Sequence, residues 1–286
     1  MPGKKDRKKD KHKGDKAKMA ALADRHALYQ RSVQAPEFEV EFFDKTFREL
    51  RGRVPLSMRE DFCGTAFLST EWCKSDARRT AIGVDMCADT LAWGTDHNLK
   101  PAGDDVARRI TLVNADVREV SEPRVDITCA LNFSYCVFKT RDELRSYFEL
   151  AHAGLNPDGL LMLDLFGGTE CNDALEEETR IPGAKAKYIW EHASFNPIDH
   201  RIVCHIHFAF KDGSRLDKAF TYDWRLWSIP ELSELLQEAG FCKVRVYWER
   251  FEEGSDRKYL EGTGEYFEAT EVENQESWMA YLVAER

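Results

Sequence analysis

Acidic residues lie near the ends of two successive apolar segments, and a turn of mostly small residues follows the first. Glu60 lies near the end of segment 56–61, the turn spans 62–66, and Asp85 ends segment 81–85. A carboxylate roughly 20 residues after such a turn is typical of nucleotide sites, where it accepts hydrogen bonds from ribose hydroxyls. The pair therefore predicts a binding site for a cofactor that contains a ribose.

Repeated strand and helix patterns predict the scaffold that positions these acids. Apolar segments alternate with segments that have apolar residues at helical spacing, and such βα units form a parallel sheet with helices on both faces. The residue types at 156–159 (Asn, Pro, Asp and Gly) predict a turn. The predicted strands are 56–61, 79–85, 109–114, 125–131 and 160–165, and the predicted helices are 65–74, 88–98 and 141–153.

The two ends of the chain depart from this alternation. Helical spacing predicts two helices within 20–50, separated at Pro36. Three later segments rich in β-forming residues predict an antiparallel meander inserted into the α/β body. The meander segments are 187–195, 201–210 and 216–225; a helix at 230–239 and strands at 244–248 and 278–284 follow, with an acidic loop between the last two. The predicted fold is α/β, with a Rossmann-like, mostly parallel sheet of seven strands.

The bulk composition restricts the class of protein. The chain has 286 residues, of which 43% are hydrophobic, enough for a large α/β core. It has no apolar run of membrane-spanning length and no apolar segment after the N-terminal charges, so we expect a cytoplasmic protein without membrane contact. The eight cysteines are scattered without a C-x-x-C pair, which favours reduced thiols over zinc ligands or disulfides.

Charge is distributed unevenly along the chain. Residues 1–18 hold nine Lys and Arg against three Asp, a net charge of +6, which leaves −16 on the other residues. The composition of 1–18 predicts a disordered basic tail, because it has almost nothing to bury. The acidic remainder does not favour a broad nucleic-acid surface. We expect a solubilising tail, with RNA or ribosome contact through residues 4–18 as the alternative.

The order of these parts resembles the class I S-adenosylmethionine-dependent methyltransferases over about residues 20–286. Glu60 takes the place of the acid in the family's first motif, and 62–66 takes the place of its Gly-x-Gly-x-Gly turn. Only Gly64 of the three glycines is kept, and Phe62 stands where the first would be. Asp85 matches the ribose-binding acid of the family.

Later segments match the family in the same order. Residues 114–117 are similar to the segment whose acid, here Asp116, faces the adenine amine. Residues 132–135 lie where the family lines its reaction centre, and 156–159 is similar to its turn into strand five. Residues 222–241 resemble its substrate-cap boundary and final helix. On this resemblance, residues 19–55 are an N-terminal helical cap, and 56–286 are the methyltransferase domain with a substrate cap inserted at about 186–225.

The resemblance implies S-adenosylmethionine as cofactor and assigns candidate residues to it. A tyrosine on the N-terminal helix covers the methionine end in related enzymes, and Tyr29 resembles it. The implied cofactor-binding residues are Tyr29, Glu60, Cys63, Gly64, Thr65, Asp85, Met86, Asp116, Val117 and Asn132. A structural role for Glu60, as partner of Arg59 or of a helix N-terminus, stays open.

The meander is expected to roof an acceptor site, because its side chains are rich in aromatic rings and imidazoles. His205 and His207 share one strand face. No obvious third ligand accompanies them, which disfavours a metal site; a general base is one alternative, and ordinary surface or packed histidines are the favoured one. No metal is predicted. The candidate catalytic residues are Tyr135 and His207, and the candidate substrate-binding residues are Tyr135, Trp190, His205, His207, Tyr222 and Arg225.

The predicted function is methyl transfer from S-adenosylmethionine to a small-molecule acceptor, by a monomer or homodimer. In-line displacement at carbon needs alignment rather than a catalytic triad, and the sequence contains no evident triad. One alternative is an RNA or ribosomal-protein methyltransferase guided by the basic tail. Another is a non-catalytic binding protein on the same fold, which the loss of glycines in 62–66 leaves open.

Overall fold

The architecture is described from a computed structural model that covers residues 18–253 and 260–286. Residues 1–17 lie outside this range, so the prediction of a disordered basic tail concerns residues outside the described part of the chain. The helices are α1 (Arg25–Val33), α2 (Pro36–Arg51), α3 (Phe67–Ser75), α4 (Ala88–Gly94), α5 (Asp104–Ala107), α6 (Arg141–Ala153) and α7 (Ile229–Glu238). The strands are β1 (Ser57–Asp61), β2 (Thr80–Asp85), β3 (Ile110–Asn114), β4 (Val125–Ala130), β5 (Leu155–Gly167), β6 (Leu175–Arg180), β7 (Ala186–Asn196), β8 (Arg201–Phe210), β9 (Arg215–Arg225), β10 (Lys243–Glu253), β11 (Leu260–Glu268) and β12 (Trp278–Glu285).

A mixed eight-stranded sheet forms the centre of the described structure, in the order β11-β10-β12-β5-β4-β1-β2-β3. Strands β1 to β5 are parallel, and β12, β10 and β11 add antiparallel strands at one edge. Strands β2 and β3 lie on one side of β1, and β4 and β5 lie on the other, so the strand order reverses between β1 and β4. Because parallel strands end at one edge, the loops after β1, β2, β3 and β4 meet there, where open α/β sheets bind ligands.

Helices cover both faces of this sheet, as the alternating pattern predicts. On one face α2 and α3 pack through rings such as Phe43, Phe47 and Trp72, all of which are fully buried. On the other face α6 and α7 pack through residues such as Tyr147 and Leu235. Capping boxes at Thr140 and Ser228 fix the starts of α6 and α7. The predicted α/β fold with a mostly parallel sheet is confirmed.

A second, antiparallel sheet is inserted between β5 and α7, in the order β6-β7-β8-β9. It contains the predicted meander but begins earlier, at Leu175, because β6 pairs with β7. One face of this sheet carries Trp190, Ile206 and Tyr222, which pack toward α1.

Three local predictions are corrected. Residues 156–159 are not a turn but a bulged part of β5, since Val125 and Ile127 of β4 pair with Leu155 and Leu160. The central sheet has eight described strands rather than seven. The extra strand is β11, which pairs with β10 inside the segment predicted to be an acidic loop.

Candidate functional site

Three positions in the turn between β1 and α3 adopt left-handed backbone. The φ angles of Phe62, Gly64 and Ala66 are 57°, 53° and 53°. Glycine adopts such angles at no steric cost, whereas other residues incur strain. The turn therefore keeps the backbone shape of the Gly-x-Gly-x-Gly motif although two of the three positions carry side chains.

The Phe62 ring packs into the core rather than over the turn. Its centroid lies 6.0 Å from the ring of Phe138 and 5.9 Å from the ring of Tyr147 on α6. The side chain that replaces the first glycine thus contributes to packing on the α6 face. This contact explains how a large residue occupies a glycine position.

Gly64 and Asp85 are joined directly, and open space lies beside them. One Asp85 carboxylate oxygen accepts a hydrogen bond of 2.8 Å from the Gly64 amide, and the other accepts one of 2.8 Å from the Cys87 amide. A Cβ added at Gly64 would meet only Thr90, at 4.0 Å. Met86 is 72% exposed. Gly64, Asp85 and Met86 therefore border an open surface at the ends of β1 and β2.

Glu60 holds the start of α3 in place. Its buried carboxylate accepts hydrogen bonds of 2.9 Å from the Ser69 amide and 2.5 Å from the Ser69 hydroxyl. Burial raises the pKa of Glu60 to about 7, although these two hydrogen bonds lower it. The structural alternative for Glu60, as partner of a helix N-terminus, is thus realised, and contact with a cofactor stays a prediction.

Asp116 caps the short helical turn after β3. Its carboxylate accepts hydrogen bonds from the Arg118 amide at 2.9 Å and from the Arg118 guanidinium at 2.7 and 3.1 Å. The guanidinium contact lowers the pKa of Asp116. Val117 beside it is buried, and the Asn114 amide donates to the Asp85 carbonyl at 3.0 Å. The predicted adenine segment is thus tied to the end of β2.

Asp164 fixes the loop that follows β4, a role that the sequence patterns missed. Its buried carboxylate accepts hydrogen bonds of 2.7 Å from the Asn132 amide and 2.9 Å from the Phe133 amide. Both of these residues have left-handed backbone, with φ angles of 54° and 57°. Burial raises the pKa of Asp164 to about 7. An acid within the apolar run 160–165 was the signal for this role.

Helix α1 is hydrogen-bonded to the turn after β1. The Gln30 amide donates to the Thr65 hydroxyl at 2.7 Å, and the Trp93 indole donates to Asp24, the N-cap of α1, at 2.8 Å. Asn98 donates to the Thr65 carbonyl at 2.8 Å from the opposite side. Cys63, also predicted for the cofactor, is buried, and its amide donates to the Val84 carbonyl at 2.9 Å.

A cavity of about 260 Å³ lies between α1, the loop after β4 and the antiparallel sheet. Tyr29 and Asn132, both predicted for the cofactor, line it together with Trp190 and Tyr222, both predicted for the acceptor. Burial, and then the neighbouring Tyr222, raises the pKa of Tyr29 well above its ordinary value. His192 of β7 also lines the cavity, although the sequence analysis did not choose it.

The structure places His205 and His207 on the other face of the antiparallel sheet. Trp190 pairs with Ile206 across β7 and β8, so the odd-numbered residues of β8 point away from the cavity. His207 Nε2 lies 2.8 Å from Glu191, and His205 Nδ1 lies 3.0 Å from the Thr221 hydroxyl. The two histidines do share a face, but they are not brought to the cavity, so we exclude them from the proposed site.

Tyr135 and Arg225 also have structural partners away from the cavity. Tyr135 is fully buried, and its hydroxyl donates to the Asp164 carbonyl at 2.6 Å. Arg225 donates to Glu231 at 2.9 Å, and its guanidinium lies 3.8 Å from the centroid of a Trp227 ring. Neither residue lines the cavity that contains Trp190 and Tyr222, so their predicted contact with substrate does not fit this geometry.

Three broader features of the described residues bear on the site. All eight cysteines are free, and six of them are buried. Within 18–253 and 260–286, no group of three or more His, Cys, Asp or Glu side chains is arranged to hold a metal ion. None of the helices in the described part of the chain combines the length and apolar character needed to cross a membrane.

Several solved structures match this fold over most of their length. An S-adenosylmethionine-dependent methyltransferase from Clostridium acetobutylicum is 14% identical, with a TM-score of 0.64 over 91% of this chain and 96% of that chain. The fold is that of the class I S-adenosylmethionine-dependent methyltransferases. DesVI from Streptomyces venezuelae gives a TM-score of 0.63 at 15% identity, over 92% of this chain and 98% of DesVI.

A third structure with the class I methyltransferase fold is CalS10 from Micromonospora echinaspora, an amino pentose methyltransferase involved in calicheamicin biosynthesis. Its TM-score is 0.61 at 15% identity, over 91% of this chain and 95% of CalS10. No family model and no curated protein matches the chain. The similarity extends over most of the chain and, at this low identity, establishes the fold alone.

Proposed function

We propose that this protein binds S-adenosylmethionine at the ends of β1 to β4 and transfers its methyl group to a small molecule in the cavity. One observation carries the proposal. Tyr29 and Asn132, assigned to the cofactor by resemblance, line the same cavity as Trp190 and Tyr222 of the inserted sheet. This shared lining supports a cofactor site next to an acceptor site, as direct transfer requires.

The chain's own residues supply binding and alignment. Asp85 remains half-buried beside open space, so its carboxylate can accept hydrogen bonds from two ribose hydroxyls while it also holds the turn. Gly64 leaves room for close approach, and Met86 offers an apolar face for adenine. When bound, S-adenosylmethionine supplies a methyl group activated by its sulfonium. Asp164 positions Asn132 and Phe133 at the boundary between the two sites.

The dimensions of the cavity support a small acceptor. About 260 Å³ is close to the lower end of the range for small-molecule sites, roughly 300 Å³ upward. The net charge of −10 disfavours a nucleic-acid surface outside the basic tail. The solved structures with this fold include a sugar N-methyltransferase, KedS8, and the amino pentose methyltransferase CalS10. These neighbours support a small polar acceptor.

A labelling experiment tests the proposal. The full chain is incubated with methyl-labelled S-adenosylmethionine and separate small-molecule, RNA and protein fractions of a cell extract. We expect label in the small-molecule fraction, equal in a variant that lacks residues 4–18 and strongly reduced in Asp85→Asn when the cofactor is limiting. Label found in RNA or protein, and lost with residues 4–18, would contradict the small-molecule acceptor in favour of the tail-guided alternative.

A further inference from the structure

The wall of the cavity formed by the inserted sheet consists of aromatic rings. Tyr222 and Trp224 stack with centroids 4.3 Å apart, and Trp190 lies 5.9 Å from Tyr222 and 6.2 Å from Trp224. Phe133 and Phe166 line the cavity from the central sheet. The faces of such rings carry negative potential and attract cations.

Two carboxylates add negative charge to the same cavity. Glu170 is half-buried and Glu177 is exposed, and both line the cavity. Within the described ranges, neither forms an ion pair, and no Lys or Arg lines the cavity. Cys171 lies close to both carboxylates. Burial, followed by the negative charge of Glu170 and Glu177, raises the pKa of the Cys171 thiol to about 12. Rings and acids together select for positive charge.

His192 adds a proton acceptor to this cavity. It is only 6% exposed, and its ring lies 5.7 Å from Trp190 and 6.0 Å from Phe166. Its buried Nδ1 has no hydrogen-bond partner among the described residues. Burial lowers the pKa of His192 below its ordinary value, which favours the neutral imidazole near pH 7. Neutral imidazole can accept a proton from a ligand in the cavity.

We propose that the acceptor is an amine that enters as an ammonium ion, is held by the aromatic wall and Glu170, and loses its proton to His192. This inference rests on the proposed function, since it names the substrate class of that site. Glu177 is exposed at the cavity, so its attraction for the ammonium ion is weakened by dissolved salt. An anionic acceptor would meet only negative groups, and a neutral alcohol would leave both carboxylates without a counter-charge.

The transfer step balances with these groups. His192 accepts one proton from the ammonium, which leaves a neutral amine with a free lone pair. That lone pair forms the new N–C bond while the S–C bond of the sulfonium breaks, with its electron pair staying on sulfur. The product nitrogen is again positively charged and leaves as an ammonium. The imidazolium returns its proton to solvent, so no oxidant, reductant or further reactant is needed.

A binding experiment tests the charge preference without activity. Choline and its uncharged isostere 3,3-dimethylbutan-1-ol are titrated into the full chain, with and without S-adenosylhomocysteine, and followed by tryptophan fluorescence. We expect choline to bind roughly tenfold more tightly or better, and Trp190→Leu and Glu170→Gln each to lose most of that preference. Glu176→Gln changes an acid of β6 that pairs with Glu191 on the face away from the cavity, and it should keep the preference. Equal binding of the two probes under both conditions would overturn the proposal.

The titration of His192 tests its place beside the cation. The titratable side chains that line the cavity together with His192 are Glu170, Cys171, Glu177, Tyr29, Tyr188 and Tyr222. Saturating choline should lower the pKa of His192, measured by NMR, by about 0.5 or more, because a cation disfavours imidazolium. His205, on the other face of the sheet, should not respond. An unchanged His192 signal with bound choline would contradict the assignment.

Kinetics with an amine acceptor then separate catalysis from packing. His192→Gln should lower kcat at least about tenfold with little change in the KM for the amine, and should remove the acidic limb of the pH profile. If His192→Gln instead lowers kcat in proportion to its loss of stability and keeps the acidic limb of the pH profile, His192 has a packing role. If S-adenosylhomocysteine fails to bind while choline is still preferred, the proposed function fails and the cation site stands.

Discussion

The Gly64 amide donates a hydrogen bond of 2.8 Å to the carboxylate of Asp85. This contact joins the turn after β1 to the end of β2. The same carboxylate faces the free surface beside Gly64, where a Cβ would meet only Thr90 at 4.0 Å. Asp85 thus shapes the turn and remains able to accept hydrogen bonds from a ligand.

Asp85→Asn should weaken the binding of S-adenosylmethionine by tenfold or more, because charge-assisted hydrogen bonds to ribose hydroxyls are worth roughly 1.5–3 kcal/mol. Calorimetric titration measures the change. The matched control is Asp89→Asn, which alters an exposed acid in the first turn of α4 and should bind like the wild type. Equal affinity of Asp85→Asn and the control would refute the ribose assignment.

Phe62→Gly should lower the free energy of unfolding by about 1–3 kcal/mol, since the lost ring packing exceeds the relief of left-handed backbone. Cofactor affinity should stay within about threefold, because the ring packs on Phe138 and Tyr147. Denaturant titration and calorimetry measure the two effects. Ala66→Gly, which relieves the same kind of backbone strain with little packing lost, should change stability by less than about 0.5 kcal/mol. A large gain in affinity for Phe62→Gly would show that the ring obstructs the site.

Much of the fold could be predicted from the sequence because its parallel strands are buried on both faces. Segments 79–85 and 125–131 have mostly apolar centres, at 81–84 and 127–131, and β2 and β4 lie within them. Helix α2 has a clear apolar stripe, with Phe43 and Phe47 fully buried. Acids at strand ends stand out against such runs, which is how Asp85 was found.

The antiparallel sheet was harder to read because β8 is buried on both faces. Cys204, Ile206, His205 and His207 are all less than 9% exposed, so alternation does not reveal which face meets the cavity. The histidine that lines it is His192, on β7. Strand β11 contains two glycines and several acids, and its pairing with β10 is a tertiary contact that local composition does not encode.

Glu39→Gln should stabilise the protein in a pH-dependent way. Burial, with Asp164 and Glu60 nearby, raises the pKa of Glu39 to about 8, against 4.5 as its ordinary value. The Glu39 carboxyl therefore binds its proton more tightly in the folded chain than in the unfolded chain. The stability that this protonated carboxyl contributes is fully present below pH 4.5 and is lost as the pH rises through about 8.

The expected difference is small near pH 4.5 and on the order of 3 kcal/mol in favour of Glu39→Gln above pH 8. Urea titrations of both proteins across this range measure it. Glu37→Gln changes an exposed acid two residues away on α2 and should show no such divergence. Parallel stability curves for wild type and Glu39→Gln would contradict the account of this buried carboxyl.

Arg225→Lys should affect stability more than transfer. The guanidinium lies over Trp227 and bonds Glu231 and the Lys139 carbonyl, which an ammonium group cannot reproduce together. We expect a loss of about 1 kcal/mol in the free energy of unfolding and an unchanged acceptor KM. Steady-state kinetics at a temperature where both proteins stay folded provide the check. A rise in KM of tenfold or more would return Arg225 to the acceptor site.

Calorimetric titration of the full chain with S-adenosylmethionine tests the central claim most directly. The Gly64–Asp85 surface predicts one binding site per chain, with a Kd between about 1 and 100 µM that Asp85→Asn weakens. Absence of binding at concentrations up to about 1 mM, in a chain that is folded by circular dichroism, would contradict a cofactor site on this fold.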